Sequence, residues 1–288
     1  MTKLDLIGIW QSYADILWES GQHKETCKGY IFEIQDIAES HGLDRFDNRL
    51  LDAITSNLRA KGNRNSTINR KMASLSKLLR KHQRNGGIDR LPDFTKLPEK
   101  NGRIRFLSWD EEAFLFACLG AIGASYEALA KFLVSTGARV GEALQLTWAD
   151  ISDGRATFWE TKANTPRTVP LTQSAMDALE RQRGKSPTGP FTTIRYANFR
   201  NAWLRAKARA GLQKDPQVVP HILRHTCASR LAQNGVDIKR IQEFLGHKTL
   251  AMTLRYAHLA RRHLDVCAEA LNAFEARQGG SERRVAHH

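Results

Sequence analysis

Apolar residues recur at intervals of three and four through most of the sequence, which predicts a mainly helical chain. Leu6, Ile9, Trp10, Tyr13, Ile16 and Leu17 form a first stripe, and Tyr30, Ile31, Ile34 and Ile37 a second, over about 24–39. Leu50, Leu51, Ile54 and Leu58 form a third. A fourth helix, capped by Ser66, carries Ile68, Met72, Leu75 and Leu79. Such stripes are packing faces first. The period then stops: 88–105 holds Pro92, Pro98 and Gly102 among charged residues and reads as an extended linker. The expected layout is a helical module over 1–88, a linker over 89–105, a larger domain over 106–277 and a flexible polar tail over 278–288.

In the larger domain, Ser108 with Glu111 three residues on is a capping box that starts a helix through Leu119. A largely apolar helix from Tyr126 to Thr136 stops at Gly137, and Arg139 begins a new turn. Strict alternation marks the only strands: Asp153-Gly154 is a hairpin turn, Arg155–Glu160 alternates, and Arg167–Leu171 returns after a loop. A small three-stranded antiparallel sheet follows, with Lys162 on its last turn. Thr172 caps a helix through Arg183, and Tyr196–Ala210 is basic, with Phe199, Trp203 and Leu204 inward. Helices over 222–233 and 237–246 turn Ile238, Ile241 and Leu245 inward, and Thr249 caps a short segment ending near Tyr256. A last helix shows a stripe of Leu264, Cys267, Leu271 and Phe274.

Charge changes the picture. Lys and Arg number 44 against 30 acidic residues, a net +14, which points to a polyanionic partner. Between Ala53 and Ile88 there is no acidic residue, while Arg59, Lys61, Arg64, Arg70, Lys71 and Lys77 lead nine cations there. A solvated helix usually mixes signs, so this one-sign face is the expected DNA contact. Asn63, Asn65, Thr67 and Asn69 add donors for phosphates and base edges. The four cysteines show no paired or metal spacing, which fits a reducing cytoplasm. The sequence has no signal-peptide core and no apolar run near the ~20 residues of a membrane span.

Candidate chemistry gathers between Pro220 and Tyr256. His221 and His225 have the i, i+4 spacing of a helical zinc site, but Ile222 stands where a metalloprotease needs glutamate, and Arg224 would put a cation beside the metal. Metal and other cofactors are therefore not expected. An anion fits better: Arg139 and Arg224 can each hold two phosphate oxygens, with His221 and His247 as further donors. Arg139 reads equally well as a structural partner of Glu142. Tyr256 follows this cluster by one short helix, and its phenol would be only about 0.1% ionised at neutral pH without help. Alone it would pass for a half-buried helix tyrosine. No P-loop and no carboxylate cluster for magnesium appears.

Four segments resemble the signature boxes of the tyrosine recombinase (phage integrase) family, in its order: Thr136–Glu142, His221–Thr226, Leu245-Gly246-His247 and Thr253–His258. The resemblance covers the second domain throughout and, more weakly, the first. It implies that Arg139 and Arg224 clamp the phosphate, that Lys162 is the general acid, that His221 and His247 activate and donate, and that Tyr256 is the nucleophile. It further implies a helical SAM-like core-binding domain plus a mixed α/β catalytic domain, closing as a C-shaped clamp on double-stranded DNA. Four protomers would exchange strands through a 3′-phosphotyrosyl intermediate and a Holliday junction, without metal or ATP, in the cytoplasm at the nucleoid. The last helix would then pack on its own core or dock on a neighbour. Many phage integrases carry a further N-terminal arm-binding domain. This sequence begins at the core-binding helices, so accessory DNA-bending or directionality factors are left open. Integrase of a mobile element is the leading expectation. The alternatives are a dimer resolvase, an invertase or a relaxase of the same chemistry, or a non-catalytic DNA-binding regulator.

Overall fold

Asp5 accepts a hydrogen bond from the Gly8 amide (2.9 Å) and so caps α1, Leu6–Leu17. The computed structural model describes residues 4–99, 104–159 and 166–260, together with residue 268 and residues 271–273. They divide into two units, 1–102 and 103–288. No helix among the described residues is long and apolar enough to cross a membrane.

The first unit continues with α2 (Gln22–Ser40), α3 (Asn48–Ala60) and α4 (Asn65–Arg84). Leu6, Ile31, Ile34, Leu50, Ile54, Leu58, Ile68 and Leu75 are fully buried in its core, as their spacing predicts. Three expectations need correction. Ile16 is exposed, because the inner stripe runs through Leu6, Ile9, Trp10 and Ala14. Ser66 is not the cap: α4 begins at Asn65 behind Arg64. Asn65 and Asn69 are not free donors for nucleic acid. The Asn65 amide donates to the Pro98 carbonyl (2.7 Å), and Asn69 donates to the Leu97 carbonyl while accepting from the Leu97 amide (both 2.9 Å). The predicted linker is therefore extended yet fastened, with Ile88, Leu91, Phe94 and Leu97 packed against this unit's core.

The second unit holds α5 (Trp109–Ile122), α6 (Ala124–Thr136), α7 (Val140–Gln145), β1 (Ile151–Ser152), β2 (Arg155–Phe158) and β3 (Arg167–Pro170). It continues with α8 (Gln173–Glu180), α9 (Tyr196–Arg209), α10 (Ile222–Gln233), α11 (Ile238–Leu245) and α12 (Leu250–Leu254). The capping box at α5 forms as expected, Ser108 accepting from the Glu111 amide and Glu111 from the Ser108 amide. The strands pair antiparallel in the order β1-β2-β3, with Ala156 opposite Val169 and Phe158 opposite Arg167. Asp153 (φ 50) and Gly154 (φ 67) turn the first hairpin through the left-handed region. Phe132, Phe191, Phe199 and Trp203 fill the core. Leu204 is half exposed, one residue past the stripe of Phe199, Ala202, Trp203 and Ala206, so the inward expectation fails there. Of the last helix's stripe, Leu264, Cys267 and Phe274 lie outside the described residues and Leu271 is exposed.

Candidate active site

α6 and α10 build the floor. Gly137 ends α6 in the left-handed conformation (φ 61), and a Cβ there would stand 2.4 Å from a Leu245 methyl and 3.2 Å from the Cys227 sulfur. This close approach brings α10 under the turn, so that Arg224 Nη1 donates to the Gly137 carbonyl (2.7 Å). Arg139, two residues past the turn, opens α7 and reaches the other side, where its Nη2 lies 3.5 Å from the Gly246 carbonyl. Gly246 (φ 66) ends α11 and delivers His247.

Glu142 organises the cations. Its carboxylate accepts from the Arg139 amide (2.9 Å), from Arg139 Nη1 (2.6 Å) and from Arg167 Nη2 (2.7 Å). Arg139 is thus the partner of Glu142, as one of the two sequence readings has it, and its charge also acts on Arg224. Arg167 also donates from Nε to the Phe244 carbonyl (3.2 Å) and stacks on the Phe158 ring. It fastens β2 and β3 to α7 and α11. Burial alone would raise the Glu142 carboxyl, but the hydrogen bonds and charges of Arg167 and Arg139 hold it below the ordinary range. Burial and the repulsion of Arg139 and Arg167 pull Arg224 down to about 9, so it remains protonated at neutral pH. Among the described residues, buried Arg224 Nη2 and Arg167 Nη1 have no hydrogen-bond partner. Arg139 and Arg167 share the Glu142 carboxylate and Arg224 feels its charge, so three guanidiniums stand against one carboxylate and the cluster is positive on balance.

The tyrosine arrives from the far end. Tyr256, at the end of the turn that follows α12, is 1% exposed. Its hydroxyl lies 2.6 Å from His225 Nδ1, and its ring is parallel to that of His247, with centroids 6.4 Å apart. The His221 ring meets His225 edge-on at 4.9 Å. His247 Nδ1 shares a 2.8 Å hydrogen bond with Thr253 Oγ1, which sets its ring. Burial, then Arg224 and Arg139, depress His247 to about 3. Burial, then His221, Arg255 and Arg224, depress His225 to about 4. Both rings are neutral at pH 7. Burial pushes the Tyr256 phenol up against the pull of Arg255 and Arg224, so it is neutral as well.

Of the six sequence-predicted site residues, Arg139, His221, Arg224, His247 and Tyr256 come together, drawn from four separated segments, and Lys162 lies outside the described residues. Reasoning from sequence missed Arg167 and gave His225 only a rejected zinc role. Arg167 had a legible signal, since it is in phase with inward Val169 along β3. Of the expected DNA contacts, Arg59, Lys61, Arg64, Arg70 and Lys77 are exposed. Lys71 needs correction: three residues past Ile68 on the inner stripe, it is buried and pairs with Glu33 at 2.5 Å. Lys61 reaches the same carboxylate at 3.4 Å, and Lys77 donates to the Leu17 carbonyl and lies over the Trp18 ring.

A family model described as the phage integrase family matches residues 106–263. The integrase of Haemophilus phage HP1 is 33% identical over 207 residues, which are 69% of this chain and 58% of that protein. The integrase of Escherichia phage P2 is 29% identical over 280 residues, covering 94% and 79%. A tyrosine recombinase XerC of Pediococcus pentosaceus is 26% identical over 294 residues, covering 91% and 95%. A lambda integrase dimer bound to a COC' core site shares the fold at TM-score 0.72 and 19% identity, covering 89% of this chain and 78% of that one. The Tn1549 transposon integrase in complex with transposon right end DNA does so at TM-score 0.77 and 15% identity, covering 94% and 100%. The chain spans less than two thirds of the HP1 integrase, and more of the others. With the signature segments assembled into one cluster and a family model matched over more than half of its length, the chain belongs to the phage integrase family of tyrosine recombinases.

Proposed function

We propose that this chain is a site-specific DNA recombinase that cuts and rejoins strands through a 3′-phosphotyrosyl intermediate, working as the integrase of a phage or other mobile element. The observation that carries this reading is the pairing of a net positive arginine cluster with a buried tyrosine in one site. Arg139 and Arg224 would hold the non-bridging oxygens of the scissile phosphate, and His247 would donate to it from Nε2, the ring nitrogen opposite its bond to Thr253. Such donors act most where charge builds up at the pentacoordinate transition state, and losing one typically costs about 10² to 10³ in rate. Tyr256 would attack phosphorus and Lys162 would protonate the departing 5′ oxygen, so that the ester stores the bond for religation. Exposed Arg59, Arg64 and Arg70 would contact the DNA backbone. Four protomers would act on paired sites at the nucleoid. Resolution of DNA dimers is a second reading within the same family, and the near full-length match to a tyrosine recombinase that is not named an integrase keeps it beside the first.

The test is a nicked suicide duplex, selected for binding from a randomised pool. The parent should form a covalent complex that denaturant does not disrupt, and Tyr256→Phe should bind equally and form none. An adduct that survives in Tyr256→Phe would mean that another residue attacks. Recovery of insertions rather than of monomerised plasmids separates integration from resolution.

A further inference from the structure

The phenol proposed as nucleophile has a single hydrogen-bond partner among the described residues, and that partner is not one of the six site residues expected from the sequence. It is His225 Nδ1, at 2.6 Å. We infer that His225 is a further catalytic residue of this site, the base that accepts the Tyr256 proton as the phenol oxygen attacks phosphorus. The inference rests on the recombinase reading above.

Its geometry comes first. His225 lies in α10 and Tyr256 beyond α12, thirty-one residues on, so their contact is not a by-product of one helix turn. Distance and nucleophile fit the general rule that a base stands within hydrogen-bond reach of the proton it removes. The other groups around the phenol are placed differently. The His247 ring runs parallel to the tyrosine ring instead of meeting its hydroxyl, and its Nδ1 is engaged with Thr253. Arg224 and Arg255 are cations with no lone pair to offer. The His221 ring meets the His225 ring edge-on.

Burial raises the phenol, and burial together with His221, Arg255 and Arg224 lowers the imidazole, so both groups are neutral. The proposed role uses the tautomer in which the ring carries its proton on Nε2 and Nδ1 accepts from the phenol. Burial and the charges of Arg255 and Arg224 make His225 a weak base in the free protein. A phosphodiester held by Arg139 and Arg224 brings negative charge against them and offsets their repulsion of a proton on the ring. The base would thus gain strength when the substrate is in place. At attack the Tyr256 proton passes to Nδ1, the phenol oxygen bonds phosphorus, and the bond from phosphorus to the 5′ oxygen breaks, that oxygen taking a proton from the general acid. On religation the imidazolium returns its proton to the departing phenol oxygen.

His225→Asn tests this, because it keeps an acceptor near the place of Nδ1 but cannot hold the proton. On the suicide duplex, DNA affinity should stay within about twofold while single-turnover cleavage falls by about 10² to 10³. The variant's rate should also climb roughly tenfold per pH unit between about pH 6 and 8, where the parent is flat. Cleavage within about fivefold of the parent, with a flat profile, would overturn the inference and leave His225 a positioning contact. A measurement on the unmutated protein keeps the test open should the variant misfold: the ¹⁵N spectrum of labelled histidine should show His225 Nδ1 unprotonated, and a protonated Nδ1 donating to the phenol oxygen would overturn the inference. Absence of any adduct in the parent would instead strike the recombinase reading itself.

Discussion

Glu142 ties two arginines of the candidate site to one carboxylate, and Glu142→Gln isolates that interaction. The side chain is 4% exposed and pairs with Arg139 at 2.6 Å and Arg167 at 2.7 Å. Glutamine preserves the volume and one acceptor oxygen but removes the carboxylate that pairs with both Arg139 and Arg167. Breaking a buried ion pair from one side costs about 3–5 kcal/mol, and the retained oxygen argues for the lower end, about 3. For a unit of this size, each kcal/mol moves the melting temperature by about 2–4 °C, so a fall of roughly 6–12 °C is expected. The same logic gives a second, sharper signature. Inorganic phosphate at constant ionic strength should restore the variant more than it stabilises the parent, with up to about 2.7 kcal/mol recovered at a hundred times its dissociation constant. Thermal unfolding of both proteins across a phosphate series measures both effects. A loss below about 2 °C, or parallel phosphate responses, would refute the view that the cluster is positive on balance.

Acid should weaken the fold. His225 and His247 stand near 4 and 3 when folded and near the ordinary 6.5 when unfolded, so the unfolded chain takes up protons first as pH falls. Their contribution is complete above about pH 7 and is lost below it, by about 2 kcal/mol each at pH 5. The lowered Glu142 carboxyl acts in the same direction at lower pH. A melting temperature that is flat or rising from pH 8 to 5 would contradict the depressed histidines. In the first unit, Lys71→Met should lower stability by about 1–2 kcal/mol and leave DNA affinity unchanged, since Lys71 is occupied by Glu33. Arg70→Ala should instead lessen the salt dependence of binding by about 0.9 in log-log slope; equal affinity losses in the two variants would refute the distinction.

Where periodicity and burial coincide, the fold was legible from the chain: Ile31, Ile34, Leu50, Ile54, Ile68 and Leu75 are all inward as their spacing implies. The misplaced residues stand at the edges of stripes. Ile16 and Leu204 stand one step of the helix from inward positions, and a hundred degrees decides between solvent and core; Lys71 is the converse, a cation in phase with Ile68 and buried with it. Asn65 and Asn69 were misread for a different reason. Their amides suit phosphates in isolation, but the tertiary fold lays Leu97 and Pro98 beside them. The site residues were found from motif order. The interactions that tune them, Glu142 with Arg167 and Tyr256 with His225, join residues 25 and 31 positions apart, and no local pattern specifies such pairs.

Cys227 draws a practical consequence from the close packing under Gly137. Its sulfur is buried there, and burial pushes the thiol up to about 12. At neutral pH about one molecule in 10⁵ carries a thiolate, so alkylating reagents find nothing to attack while the helix stays seated. The rate at which Cys227 does become labelled therefore times the opening of the floor that carries Arg224, and offers a chemical clock for the working parts of this protein.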